Sequence, residues 1–141
     1  MYKNMPLIVV SACLAGVPCR FDGEARERVE VMKLLQEGRA LPLCPEQLGG
    51  LPTPRPPAEI CFGKVLTQDG ADVTSKYLAG AESALVLAQA AGPSEAWLKS
   101  KSPMCGCGKL YDGTHSGTLT AGDGFFTALL KKAGIPVREI D

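Results

Sequence analysis

Residues 7 to 10 read Leu-Ile-Val-Val, an unbroken apolar run between a proline and a serine. A strand with one wet face alternates apolar and polar side chains. A continuous run belongs to a strand buried on both faces, the setting of a parallel sheet covered by helices. Leu41 to Leu43 and Ala96-Trp97-Leu98 are short runs of the same kind, and Val137 to Ile140 reads as a last strand.

Helical patterns lie between these runs. Glu24 to Glu37 sets Ala25, Val29, Met32 and Leu35 on one stripe ahead of Gly38. Asp72 to Ala91, capped by Asp72 or Thr74, aligns Val73, Tyr77, Ala81, Leu85 and Ala88 before Gly92-Pro93 ends it. Asp123 is placed to cap a final helix that turns Phe126, Leu129, Leu130 and Ala133 inward, closed by Gly134. Strands alternating with helices predict an α/β fold: an open, mainly parallel, Rossmann-like sheet with helices on both faces. All of residues 1–141 are expected to form a single domain. Residues 45–71, rich in proline, show no long element beyond a brief strand at Val65-Leu66; their stiffness predicts an ordered, functional loop. Phe21-Asp22-Gly23 and Tyr111-Asp112-Gly113 echo one another and read as two ordinary turns.

Fifteen basic and fifteen acidic residues give a formal net charge of +0. That balance excludes the broad basic face a nucleic-acid polymer demands, while leaving a small anion open. No run nears the roughly 18 apolar residues of a membrane span. Val10-Ser11-Ala12-Cys13 imitates a lipoprotein cleavage box, but the apolar run before it falls short of a signal core of roughly 7–15 residues. The expectation is a cytoplasmic protein with reduced thiols and no membrane partner. Six cysteines in such a chain point to metal or chemistry before disulfides.

Their placement says more than their number. Cys13 follows the first strand, Cys44 the second, and Cys105 the third by a few residues. The carboxyl ends of parallel strands form one edge, where ligands bind, so the three are expected to converge there. Converging thiolates need a cation, zinc or an iron–sulfur cluster. Structural zinc draws on C-x₂-C pairs, and Cys105-Gly106-Cys107 and Cys13…Cys19 have other spacings. A cluster on three dispersed cysteines fits better and leaves one iron open as a Lewis acid. Cys61, between Ile60 and Phe62, reads as core filler and Cys107 as a non-ligand. Cys19 stays open between fourth ligand, sulfur relay and packed thiol. On the same edge Glu46 is placed to act as general acid or base, and Ser102 as a hydrogen-bonding group. Ser11 shares the strand face of Cys13, and Arg55 sits on a stiff loop where it can meet a phosphate. His115, the only histidine, reads as a loop residue without a catalytic role.

The segments "VSACLAGVPCRFDG", "CPEQLGGLPTPRPPAEI", "DVTSKYLAGAE", "KSKSPMCGCGKLYDGTHSG" and "GDGFFTALLKKAGI" occur in this order. Together they resemble a small bacterial family long catalogued as a domain of unknown function, some of whose members are thiouracil desulfidases. The resemblance runs from about Leu7 to Ile140. It implies a [4Fe-4S] cluster on Cys13, Cys44 and Cys105, with Cys19 not a ligand, and catalytic roles for Glu46 and Ser102. The implied reaction is a non-redox desulfuration of a small thiopyrimidine, 4-thiouracil or 4-thio-UMP, to uracil or UMP and hydrogen sulfide. The expected course has the open iron take the thiocarbonyl sulfur, Glu46 activate water and Ser102 hydrogen-bond the ring; Ser11 and Arg55, by their positions on the strand face and the stiff loop, are the expected substrate-binding residues. Met104 and Cys107 stand where the family favours small residues, which is expected to bear on substrate preference. One rival is a non-catalytic iron–sulfur or sulfur-handling module that uses Cys19 and Cys107 as extra thiols. A more distant one is a zinc-dependent hydrolase of the nucleobase-deaminase type, whose H-x-E and P-C-x-x-C signatures are missing.

Overall fold

The computed structural model describes residues 5–141. Its centre is a four-stranded sheet in the order β2-β1-β5-β8, formed by Ile8–Ser11 (β1), Ala40–Leu43 (β2), Glu95–Lys99 (β5) and Val137–Ile140 (β8). Every neighbouring pair is parallel; Val9 lies opposite both Leu41 and Ala96. The apolar run of β1 takes an inner position and is buried at all its residues, as a run without alternation requires.

Helices cover both faces. On one side Val9, Leu43, Ala96 and Leu98 pack against Tyr77, Ala81, Ala84 and Ala88 of helix α3 (Thr74–Ala91) and against Phe126 and Leu130 of α4 (Phe125–Lys132). On the other, Ile8, Val10 and Ile140 meet Val31 and Leu34 of α1 (Val29–Gln36) and a 3-10 turn at Ala12–Ala15. Two antiparallel hairpins flank this frame: β3 (Ala58–Cys61) with β4 (Lys64–Thr67), and β6 (Lys109–Tyr111) with β7 (Leu119–Ala121). Of these strands only Val65-Leu66 was legible in the sequence.

Helix α3 keeps its expected face but begins at Thr74, with Val73 in the cap position. The Asp72 carboxylate accepts the Thr74 N–H at 2.9 Å, and Gly92 ends the helix in the left-handed conformation (φ 65°). Helix α1 departs from its pattern. Residues 24–28 are not helical, because Arg26 and Arg28 donate their N–H groups to Cys13 and Leu14 and so brace the 3-10 turn. The helix starts at Val29, which is 89% exposed, and buries Val31 and Leu34 instead of the expected stripe. Asp123 does not cap α4: its carboxylate accepts the Gly108 N–H and the Lys131 ammonium, leaving Gly124 as the cap. Ala133 is accordingly exposed, while Thr127 joins Phe126 and Leu130 inside. The two aromatic-Asp-Gly segments are plain turns, in which Asp22 accepts the Glu24 N–H and Asp112 the Thr114 N–H, each at 3.0 Å.

One further helix matters for the site. Helix α2 (Pro45–Leu48) is a single turn directly after β2, and it lies against α3. The approach is close enough to need glycine on both sides. A Cβ on Gly80 would lie 1.9 Å from the Pro45 carbonyl oxygen, and one on Gly49 2.1 Å from that of Lys76. Among the described residues no helix is long and apolar enough to cross a membrane.

Candidate active site

The carboxyl ends of β1, β2 and β5 open onto a cavity of about 400 Å³. Cys13 reaches it from the 3-10 turn after β1, Cys44 from the residue between β2 and α2, and Cys105 from the loop beyond β5. Glu46, Ser102, Ser11, Arg55 and Cys19 line the same cavity. The convergence expected from strand ends is thus present. The thiols are close enough to sense one another's charge: ionisation of Cys13 and Cys44 opposes that of Cys105. Among the described residues no three His, Cys, Asp or Glu side chains close tightly enough to hold a single ion.

Each cysteine is set by its local backbone. Cys44 immediately precedes α2, whose Gln47 N–H points at its sulfur. The Cys19 thiol lies beside the same sulfur, and chiefly through that contact Cys44 is drawn down to about 7 while Cys19 keeps its proton. As a thiol, Cys44 instead faces the Cys19 carbonyl at 3.8 Å. Burial pushes Cys13 and Cys105 up. A hydrogen bond from Ser11 partly offsets this at Cys105. The Ser11 oxygen itself accepts the Lys99 N–H at 2.9 Å, which leaves its proton for that sulfur.

The Cys105 loop is held by Ser102, whose oxygen accepts the N–H groups of Met104 and Cys105, each at 3.0 Å. The Ser102 hydroxyl proton is left uncommitted by these bonds. Thr127 donates to the Cys105 carbonyl from α4 at 2.8 Å. Met104 turns into the core and does not line the cavity, so it does not crowd a substrate as its size suggested. Gly106 is required by packing: its Cβ would stand 2.7 Å from the Ser102 carbonyl oxygen.

Glu46 is held at one oxygen. Its Oε1 accepts the Tyr77 hydroxyl at 2.8 Å and the Arg55 Nε–H at 3.0 Å, and neither bond uses Oε2. Arg55 differs from its expected role as a phosphate or substrate contact. Its side chain is buried, and its remaining bonds run to the Pro52 carbonyl, the Thr53 hydroxyl and the Cys19 carbonyl. Four of the five guanidinium N–H groups are therefore committed to protein, and the charge is paired with Glu46.

Four residues of weight were not singled out as site residues by sequence reasoning. Tyr77 was counted only as part of an apolar helix face. Arg20, Lys99 and Lys101 stand at the cavity, the two lysines near the Asp141 carboxylate and Arg20 paired with Asp22. Burial lowers Lys99 from its ordinary value. The available signal was position: Lys99 ends β5, on the same edge as the cysteines. Cys61, Cys107 and His115 do not line the cavity. Cys61 is only half-buried, so it is not core filler in the full sense. Cys107 sits beside Lys131, and His115 Nδ1 lies 3.5 Å from Glu59 Oε2.

Fold and cavity together define a parallel α/β protein with a thiol-lined site at the carboxyl edge of its sheet. Known proteins sharpen that class. The 2-thiouracil desulfurase family matches residues 8–141. A protein of Bacillus subtilis (strain 168) described as Uncharacterized protein YbbK is 43% identical over 141 residues, covering 93% of each chain. The solved structure of the [4Fe-4S]-dependent thiouracil desulfidase TudS superposes with a TM-score of 0.90 at 48% identity, over 95% of this chain and 90% of that one. This chain belongs to the 2-thiouracil desulfurase family.

Proposed function

We propose that the chain, acting as a single desulfidase-like domain, removes sulfur from a thiolated pyrimidine by [4Fe-4S]-dependent, non-redox hydrolysis. The observation that carries this reading is the gathering of Cys13, Cys44, Cys105, Glu46 and Ser102 around one cavity. The donor set fits the cluster. A single zinc would draw its ligands to about 2.3 Å from one point, which the described side chains do not do. Three separate thiols around a cavity suit a polynuclear cluster bound by one cysteine per iron. When bound, the cluster supplies a sulfur-seeking Lewis acid at its iron without a cysteine.

The chain's own residues do the rest. Glu46 Oε2 accepts a proton from water as the water adds to the thiocarbonyl carbon, and returns a proton to the departing sulfur. The Ser102 hydroxyl donates to the ring oxygen or nitrogen beside that carbon, while its oxygen keeps the Cys105 loop in place. Ser11 steadies Cys105 by hydrogen bonding. In sum a C=S group and water give a C=O group and hydrogen sulfide, with no electron donor or acceptor.

The substrate is a small thiopyrimidine, and the cations at the cavity favour its monophosphate, 4-thio-UMP, over the free base. Arg20, Lys99 and Lys101 replace Arg55 as the candidates for the phosphate. The test is reconstitution with iron and sulfide without air, then assay of hydrogen sulfide release from 4-thiouracil and 4-thio-UMP. Iron-loaded protein that releases none from either would overturn the reading.

A further inference from the structure

Arg55, within the proline-rich residues 51–57, and the hydroxyl of Tyr77 have no part in the chemistry above, yet both meet at Glu46. Leu51 to Pro57 is stiffened by four prolines and tied down by the Arg55 N–H, which donates to the Phe21 carbonyl at 2.8 Å. Gln47, beside Glu46 on α2, donates to the Thr53 hydroxyl at 2.9 Å. This loop delivers one buried side chain, the Arg55 guanidinium, to Glu46 Oε1. Tyr77 arrives from a second element, α3. It is 2% exposed, and it brings a single polar atom to the same oxygen.

A glutamate at a cavity wall has several rotamers and two equivalent oxygens. Two donors on one oxygen remove that freedom. Resting on the reading that Glu46 handles the reaction's protons, we propose that Arg55 and Tyr77 are positioning residues that clamp Oε1, so that Oε2 alone faces the water and the thiocarbonyl carbon. The clamp supplies orientation and not substrate contact. It also accounts for an arginine buried in a place where a phosphate ligand would have to reach out.

The test is a double-mutant cycle in reconstituted protein, with Tyr77→Phe, Glu46→Gln and the pair. Tyr77→Phe is expected to bind iron and sulfide as the parent does, keep its visible absorption and KM, and lose roughly 10- to 100-fold in kcat. In the Glu46→Gln background the same change is expected to have no further effect on kcat. A full additional loss there, or a loss carried in KM or iron content, overturns the clamp while leaving the role of Glu46 standing. A Glu46→Gln enzyme with parental kcat overturns the role of Glu46 and the clamp with it. Should Tyr77→Phe fail to fold, Arg55→Lys carries the same cycle, since it retains the charge and loses the fork. A crystal structure of the folded variant adds a readout independent of turnover. The Glu46 carboxylate is expected to leave its position or spread over conformers, and an unchanged single conformer overturns the proposal.

Discussion

At the scale of single residues, the six cysteines divide by address. Cys13, Cys44 and Cys105 owe their meeting to strand ends, and the division is testable without turnover. Replacing any of the three by alanine is expected to abolish stable iron loading. Cys61→Ser and Cys107→Ser are expected to leave iron and sulfide per chain unchanged, as measured after anaerobic reconstitution. Cys19 belongs to neither group. It lies beside Cys44, and that contact is the chief cause that lowers Cys44 from its ordinary value. In cluster-free protein Cys44 is therefore expected to alkylate first. Its rate should rise as pH passes through about 7, while the raised Cys13 and Cys105 remain protonated and slow. Mass spectrometry of tryptic peptides after brief iodoacetamide treatment checks the order. Glu46→Gln is expected to lower kcat by about 10²–10⁴-fold, the range for a lost general acid–base group.

At the scale of elements, the informative piece is the smallest. Helix α2 carries Glu46 and starts beside Cys44, but a single turn cannot fix itself. Its place is set by α3, through the contact at Gly49 and Gly80. Gly80→Ala would drive a methyl group into the Pro45 backbone, which cannot yield as a side-chain tip can. The change is expected to cost about 1–3 kcal/mol, the usual range for overpacking, and to move Cys44 and Glu46 together. Thermal unfolding reads the first effect, and iron loading in the folded fraction reads the second. The same scale shows where periodicity misleads. Glu24 to Glu37 has a helical apolar stripe, yet within its first five residues Arg26 and Arg28 give their N–H groups to the turn that carries Cys13, and Glu24 gives its own to the Asp22 carboxylate. Long-range backbone pairing outweighed local pattern there, and the helix that remained took a different face. Asp123 likewise found Gly108 and Lys131 instead of its own helix end.

At the scale of the whole molecule, a net charge of +0 means there is no global field to draw in an anion. Attraction for a phosphate must come from Arg20, Lys99 and Lys101, and it is partly cancelled where Asp22 pairs with Arg20 at 3.4 Å and Asp141 lies near both lysines, at 3.9 and 3.8 Å. KM for 4-thio-UMP is therefore expected to rise with salt between about 0.01 and 0.15 M, as the screening length shortens from about 30 to about 8 Å. KM for uncharged 4-thiouracil should stay flat. Lys99→Met should raise KM for the monophosphate and leave the free base alone, and steady-state kinetics on both substrates decide it.

What the sequence determined by itself is what local chemistry dictates. Apolar runs without alternation specify parallel, buried strands, and cysteines at their carboxyl ends must then share an edge with Glu46 and Ser102. What only the tertiary structure decided is the use of groups whose partners are distant in the chain. Tyr77 looked like core because its helix face is apolar, and Arg55 looked free because it sits on a stiff, proline-rich loop. Which atom each would meet depended on α2 and α3 packing glycine to glycine, and on residues 19, 52 and 53 closing around the guanidinium. A hydrogen bond between groups 31 residues apart, as from Tyr77 to Glu46, leaves no periodic trace in sequence. It exists because burial leaves a polar atom no water to turn to, and the nearest acceptor was the carboxylate of the site.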